Sequence, residues 1–458
     1  MVPYLRVANV FENRIDLSDV KEMNFTPAEQ QVYLLKPDDI LLNEGQSPHL
    51  VGRPALYRGE LSPCFFQNTL VRFRANPDVL PGWALLVFRT QLHARRYMRF
   101  ATITTNIAHL GAERFGQVEF PIPPLGVQQS IIQAFDTFES RLDAAVASLT
   151  RARANVKRAR ASVLKAAVEG RLVPTEASLA RAEGRDYEPT SVLLARILAE
   201  RRAKWAAKGG KGKYKEPVEH ADEGMGELPE GWCWASLDQL LERLQTGPFG
   251  STLHRSDYVQ GGTPVVNPQH LQNFKIEPSD TVTIGVETVK RLFGFQMNAG
   301  DIVLGRRGEM GRCAVVGMRE DGWILGTGSL SLRLLESVHR GFIAWALRSP
   351  GTVRFLEGES VGTTMTNLNQ EILLGLPVAL PPLAEQHRIV NEVERRLSVL
   401  DTLDTTINAN LARCARLRQS ILKRAFEGRL VSSGERVSLT HPASNPPLLA
   451  RCLGDTRG

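Results

Sequence analysis

Apolar residues recur at alternating steps of four and three over two long stretches of the chain. In the first, Ile131, Phe135, Phe138, Leu142, Ala145, Leu149, Ala152, Val156, Ala159 and Val163 keep that spacing. In the second, Ile389, Val393, Leu400, Leu403, Ile407, Cys414, Leu417 and Ile421 do so, with Arg396 and Asn410 as polar interruptions. Such a/d spacing predicts two long helices, each with one apolar seam. Residues 1–120 and 228–376 instead carry short β-branched and aromatic runs broken by Pro, Gly and Asn, the pattern of mixed α/β modules. Between the first long helix and the second module, a shorter amphipathic helix is predicted around Val192 to Ala207, followed by a Lys/Gly tether.

The two seams are copies of one another. When Pro123 is laid on Pro381, the stretch "PPLGVQQSIIQAFDTFESRLDAA" covers "PPLAEQHRIVNEVERRLSVLDTL" without a gap, and the match runs on to Val173 over Val431. Roughly twenty of about fifty positions are identical, which marks an internal repeat of a two-part unit. Each copy opens on a double proline, where a missing N–H costs a helix nothing. Each closes on "EGRLV", with Gly170 or Gly428 placed for a left-handed cap. The expected organisation is module 1–120, helix 121–173, helix plus tether 174–227, module 228–376, helix 377–431 and a poorly ordered tail 432–458.

Charge predicts how the helices pair. The front half of each is acidic (Asp136, Glu139, Asp143; Glu385, Glu392, Glu394, Asp401, Asp404). The rear half is basic (Arg151, Arg153, Lys157, Arg158, Arg160, Lys165; Arg413, Arg416, Arg418, Lys423, Arg424). Antiparallel pairing sets acid against base at both ends, whereas parallel pairing sets like against like. The same polarity also complements the helix dipole of each helix alone. An antiparallel intramolecular pair is the expectation, its stability coming mainly from the seam.

Composition narrows the function class. The chain has 458 residues and a net charge of +7, a mild basic bias compatible with nucleic acid. No apolar run reaches the length of a membrane span, and the N-terminus lacks a signal-peptide pattern, so a cytoplasmic location is expected. Cys64, Cys233, Cys313, Cys414 and Cys452 are scattered without C-x-x-C spacing, as reduced thiols would be. No phosphate loop with Lys-Ser/Thr, zinc-binding H-E-x-x-H or G-x-S-x-G elbow is present, and no catalytic residue and no metal site are assigned. The turn "GRRGEMGR", Gly305 to Arg312, has two readings, a contact with DNA backbone or base edges and a tight hairpin with solvated arginines.

The two modules echo each other in order. "DDILLNEG" from Asp38 matches "GDIVLGRRG" from Gly300, "GRPALY" from Gly52 matches "GRCAVV" from Gly311, and "TTNIAHL" from Thr104 matches "TMTNLNQ" from Thr364. Shared backbone-defining residues with differing surfaces fit two readers of different sequences on one scaffold.

Together with "LPPLAEQHRIV", "QSILKRAFEGRLV", "RASVLKAAVEGRLVPTE", "LPEGWCWASLDQLL" and "SVLLARILAERRAKW", these features make nearly the whole chain resemble the DNA specificity subunits of type I restriction-modification systems. The resemblance implies an α+β fold: two mixed α/β target-recognition domains separated by an antiparallel coiled coil of two long helices, related as a pseudo-twofold repeat. It implies a subunit without catalytic residues that reads a bipartite site in double-stranded DNA. Two modification subunits would bind S-adenosylmethionine and methylate adenine, and ATP-dependent restriction subunits would cleave. A structural coiled-coil scaffold without sequence-selective DNA binding is the alternative.

Under this resemblance the DNA-contact candidates are polar loop residues at matching places: Arg53, Thr105 and Asn106 in the first module, and Arg306, Arg307, Arg312, Thr366, Asn367 and Asn369 in the second. A Thr-Asn pair serves equally as a helix cap. The residues chosen for the coiled-coil seam are Ile131, Phe135, Leu142, Leu149, Val156, Ile389, Leu400, Leu403, Ile407 and Leu417. One departure stands out. About 35 residues, "LPEGWCWASLDQLLERLQTGPFGSTLHRSDYVQGG", precede "TPVVNPQHL" in the second module, whereas the first opens directly at "VPYLRVANV". The first module is therefore expected to be trimmed at its start, or to be completed by another segment such as the chain after Val431.

Overall fold

A computed structural model describes residues 1–104, 107–207, 209, 213–218, 226–249, 252–359, 368 and 370–430. The candidates Thr105, Asn106, Thr366, Asn367 and Asn369, and the tail 432–458, lie outside the described residues. The chain divides into two compact units, residues 1–152 with 406–458, and residues 153–405.

In the first unit, strands β1 (Ile40–Asn43), β2 (Pro54–Leu56) and β3 (Leu70–Phe73) form an antiparallel sheet in the order β2-β1-β3. The period of two explains its burial on both faces. Ile40 and Leu42 enter one core beneath helix α1 (Pro81–His93), with Trp83, Leu86 and Phe88. Leu41 points the other way, into a core with Leu5, Val10, Tyr57 and Phe66.

The second unit repeats this plan and adds to it. Helices α2 (Glu176–Glu183) and α3 (Thr190–Ala207) lead to β4 (Cys233–Ser236) and β5 (Leu241–Thr246). Then come β6 (Ile302–Gly305), β7 (Cys313–Val315), β8 (Ser329–Leu334), α4 (Arg340–Leu347) and β9 (Pro377–Leu380). Its sheet runs β5-β8-β6-β7, which is β2-β1-β3 of the first unit with a further strand beside β8. Ile302 and Leu304 face one core with Phe342 and Ile343, and Val303 faces the other with Val266 and Ala314. The additional strand β5, and β4, which pairs with β9, both come from the segment that the first module lacks.

The long helices are Leu125–Val168 and Leu383–Phe426, 44 residues each, about 66 Å at 1.5 Å per residue. Each ends with its glycine in the left-handed region, φ 66° at Gly170 and 65° at Gly428. The Arg171 and Arg429 N–H groups reach back to Ala166 O and Arg424 O, both at 2.9 Å, the bonding of a Schellman cap. Pairing is antiparallel within each unit. In the first, Ile131 and Phe135 share a core with Leu422 and Ala425. In the second, Leu164 and Ala167 share one with Ile389, Val390 and Val393. The ion pairs repeat as well: Arg160 meets Asp401 at 2.6 Å in one unit, and Arg418, Arg160's counterpart, meets Asp143, Asp401's counterpart, in the other.

The seam departs from the spacing read in the sequence. Phe138, Leu403 and Leu417 are 41%, 46% and 43% exposed. Ile131, Phe135, Leu142, Val156, Ile389 and Ile407 are buried, and Leu149 and Leu400 are half-buried. The second helix takes two successive steps of four, Ile389 to Val393 to Leu397, and only then alternates, through Leu400, Asp404, Ile407, Leu411, Cys414 and Arg418. A helix of 3.6 residues per turn drifts against a strict heptad, and an added step of four resets it. The reset buries Leu397 in place of Arg396, whose charge stays in water against Glu392 at 2.6 Å.

Candidate nucleic-acid interface

In each module a loop between the first two strands of the shared sheet carries the arginine candidates. The Asn43 N–H donates to Arg53 O at 3.2 Å, and at the equivalent place the Gly305 N–H donates to Arg312 O at 2.9 Å. Gly52 (φ 76°) and Gly311 (φ 74°) precede these arginines. A Cβ on Gly52 would stand 2.5 Å from the Tyr97 ring, and one on Gly311 would stand 2.6 Å from Leu347 O. Glycine is thus required twice over, by its φ and by the chain that follows α1 or α4 and packs on it.

The arginines are held to different degrees. Arg53 is half-buried, stacked 4.7 Å over Phe11, and its Nε has no hydrogen-bond partner. Burial, only partly offset by Glu12, lowers its pKa from the usual arginine value. Arg306 donates through Nε to Leu368 O at 3.1 Å. Burial and the neighbouring Arg307 lower its pKa. Arg312 donates to Pro268 O at 3.4 Å and pairs with Glu309 at 2.9 Å. Arg307 is exposed at the tip of the hairpin.

The structure brings candidate segments together. In the first module, Gly45–Gln46 pairs with Ile107–His109, the returning strand of the hairpin from Thr102 whose tip is Thr105–Asn106. In the second, Leu368, flanked by the candidates Asn367 and Asn369, donates its N–H to Arg306 O at 3.0 Å. Each arginine loop therefore lies beside the segment bearing the Thr/Asn candidates.

Residues that the motif comparison missed lie beside them. Tyr97, buried with its hydroxyl donating to Phe88 O at 3.1 Å, fixes the "ARRYMR" turn against Gly52, so Arg95, Arg96 and Arg99 border the Arg53 loop. Its counterpart in the second module carries Arg348, 3.4 Å over the Phe274 ring, its pKa lowered by burial. The cluster of arginines in that run was the available signal.

Two buried ion pairs hold the sheets beneath these loops. Asp39 takes both prongs of Arg74 at 2.6 and 2.7 Å, and Asp301 takes those of Arg333 at 2.8 and 2.9 Å. Each carboxylate also accepts the N–H three residues earlier, from Lys36 or Asn298. Gln128 and Gln386 join each sheet module to a long helix. Gln128 Oε1 accepts the Leu80 N–H at 2.8 Å while Nε2 donates to Pro123 O at 2.7 Å. Gln386 does the same with the His339 N–H and Pro381 O, both at 2.9 Å. Among the described residues there is no group of three or more His, Cys, Asp or Glu placed to hold a metal ion, and no helix long and apolar enough to cross a membrane. Cys64, Cys233, Cys313 and Cys414 are free thiols.

A twice-built sheet with a basic loop on each copy, joined to paired long helices, defines a class. The chain belongs to the type I restriction modification DNA specificity domain family, which matches residues 1–147 and 229–413. Among its relatives is the type I restriction enzyme EcoBI specificity subunit of Escherichia coli, 24% identical over 76% of this chain and 65% of the relative. Another is the EcoDI specificity subunit of the same organism, 28% identical over 49% of this chain and 47% of the relative. The chain spans less than two thirds of the length of either. The crystal structure of the HsdS subunit from Thermoanaerobacter tengcongensis shares the fold, with a TM-score of 0.52 at 18% identity over 93% of this chain and 90% of that one.

Proposed function

We propose that this chain is the non-catalytic DNA sequence-recognition subunit of a type I restriction-modification complex in the cytoplasm. Each module reads one half of a bipartite site in double-stranded DNA. Two modification subunits, which bind S-adenosylmethionine, methylate adenine at the site, and restriction subunits use ATP. The observation that carries this reading is the same sheet built twice with a different arginine-bearing loop on each, as two readers of different half-sites require. Arginine gripping guanine bidentately is worth about 1–3 kcal/mol of discrimination, and contacts to phosphate add a term that falls steeply with salt.

The test is to map methylated adenines across the genome with and without this chain. The reading expects a single split motif that vanishes when the chain is removed. Methylation that persists unchanged would overturn it. Deleting two heptads from both long helices is further expected to change the gap between the half-sites.

A further inference from the structure

The two helix copies agree on their outer surface along one line only. From Ala154 the first helix presents Arg158, Ser162, Lys165 and Glu169 at steps of four, four, three and four, all within one outward face. The second presents Ala412, Arg416, Ser420, Lys423 and Glu427 at the same places. Every exposed position between 153 and 168 that is identical in the second copy lies on this stripe. Those beside it change, Arg153 to Leu411, Asn155 to Arg413, Lys157 to Ala415 and Ala161 to Gln419.

Nothing inside either unit accounts for the match. The stripe faces away from the seam. The Lys165–Glu169 and Lys423–Glu427 pairs, both at 3.9 Å, explain two of its residues at most. Arg158 bonds to Asn155, but that neighbour is Arg413 in the other copy. Serine is a poorer helix former than alanine, yet Ser162 and Ser420 hold the same exposed mid-helix place.

We infer that each stripe is the docking site for one copy of an acidic-faced protein partner, so that one chain carries two identical sites. This rests on the function proposed above and assigns the sites to its two modification subunits. The small residues Ala154 and Ser162 leave gaps where a partner's backbone can approach on either side of Arg158. Arg158 and Lys165, roughly 10 Å apart along the axis, call for two carboxylates at that spacing. A phosphate backbone is the less suitable occupant. It accepts Arg or Lys at many positions, whereas here Arg stays Arg, Lys stays Lys, and the basic neighbours are not kept.

Native mass spectrometry of the full chain with the modification subunit of its own system tests this, using Ser162→Arg, Ser420→Arg, the double variant and Lys157→Ala as an off-stripe control. The expected result is two modification subunits on the wild type and on the control, one on each single variant, and at least ~100-fold weaker binding to the double variant. Unchanged helical circular dichroism and melting would show that the exposed substitutions leave the fold intact. Two subunits held by the double variant at wild-type affinity would overturn the inference while leaving the proposed function standing. A double variant that keeps both subunits but loses DNA affinity would reassign the stripe to phosphate. A wild-type chain that binds no modification subunit would remove the functional reading, and this inference with it.

Discussion

Gly52 and Gly311 show how one residue shapes a loop whose neighbours differ. Both take a φ that a side chain resists, and both leave room for chain packed where a Cβ would stand. Gly52→Ala is expected to cost about 2 kcal/mol in chemical denaturation, because strain and the clash with Tyr97 add. Asp301→Asn would leave Arg333 with half its grip; removing a partner from a buried pair costs about 3 kcal/mol, less where the arginine is partly wet. Glu12 supplies a pH test. Burial pushes its carboxyl up, but hydrogen bonds and charge from His93 and Arg89 outweigh that and hold it down at about 2, against 4.5 unfolded. A depressed folded value means that its stabilisation is complete above about pH 4.5 and is lost as pH falls toward 2. Denaturation midpoints measured from pH 6 to 3 should fall less steeply for Glu12→Gln than for wild type.

At the scale of elements, the seam separates what pattern can show from what packing decides. The four-three spacing located both helices, and the glycine of "EGRLV" located their ends, because those signals are local. The face that turns inward was misplaced at Leu403 and Leu417, since the burial of Leu397 over Arg396 is settled by the partner helix. Leu397→Ala should cost about 2–3 kcal/mol and Leu403→Ala well under 1, a comparison open to thermal or denaturant unfolding. Gln128 and Gln386 were visible as an identity across the repeat, yet their role depends on the N–H of Leu80 and His339, far away in sequence. The additional strand β5 was foreshadowed by the unmatched segment of the second module, but its place beside β8 is a non-local pairing that no window of sequence contains.

At the scale of the whole molecule, duplication is the main fact. One sheet, one ion-paired aspartate, one glutamine clamp and one helix cap each occur twice, while the loops above the sheets differ. The order of matching motifs made the duplication legible; which side chains reach DNA was not, because Arg53, Arg306 and Arg312 turned out to be partly tied to their own modules. The most direct measurement is genome-wide adenine-methylation mapping of a chain in which residues 229–376 are replaced by the corresponding module of a relative. The account predicts that one half of the methylated motif changes and the other stays as it was. A motif that changes in both halves, or in neither, would contradict the assignment of one reader to each half-site.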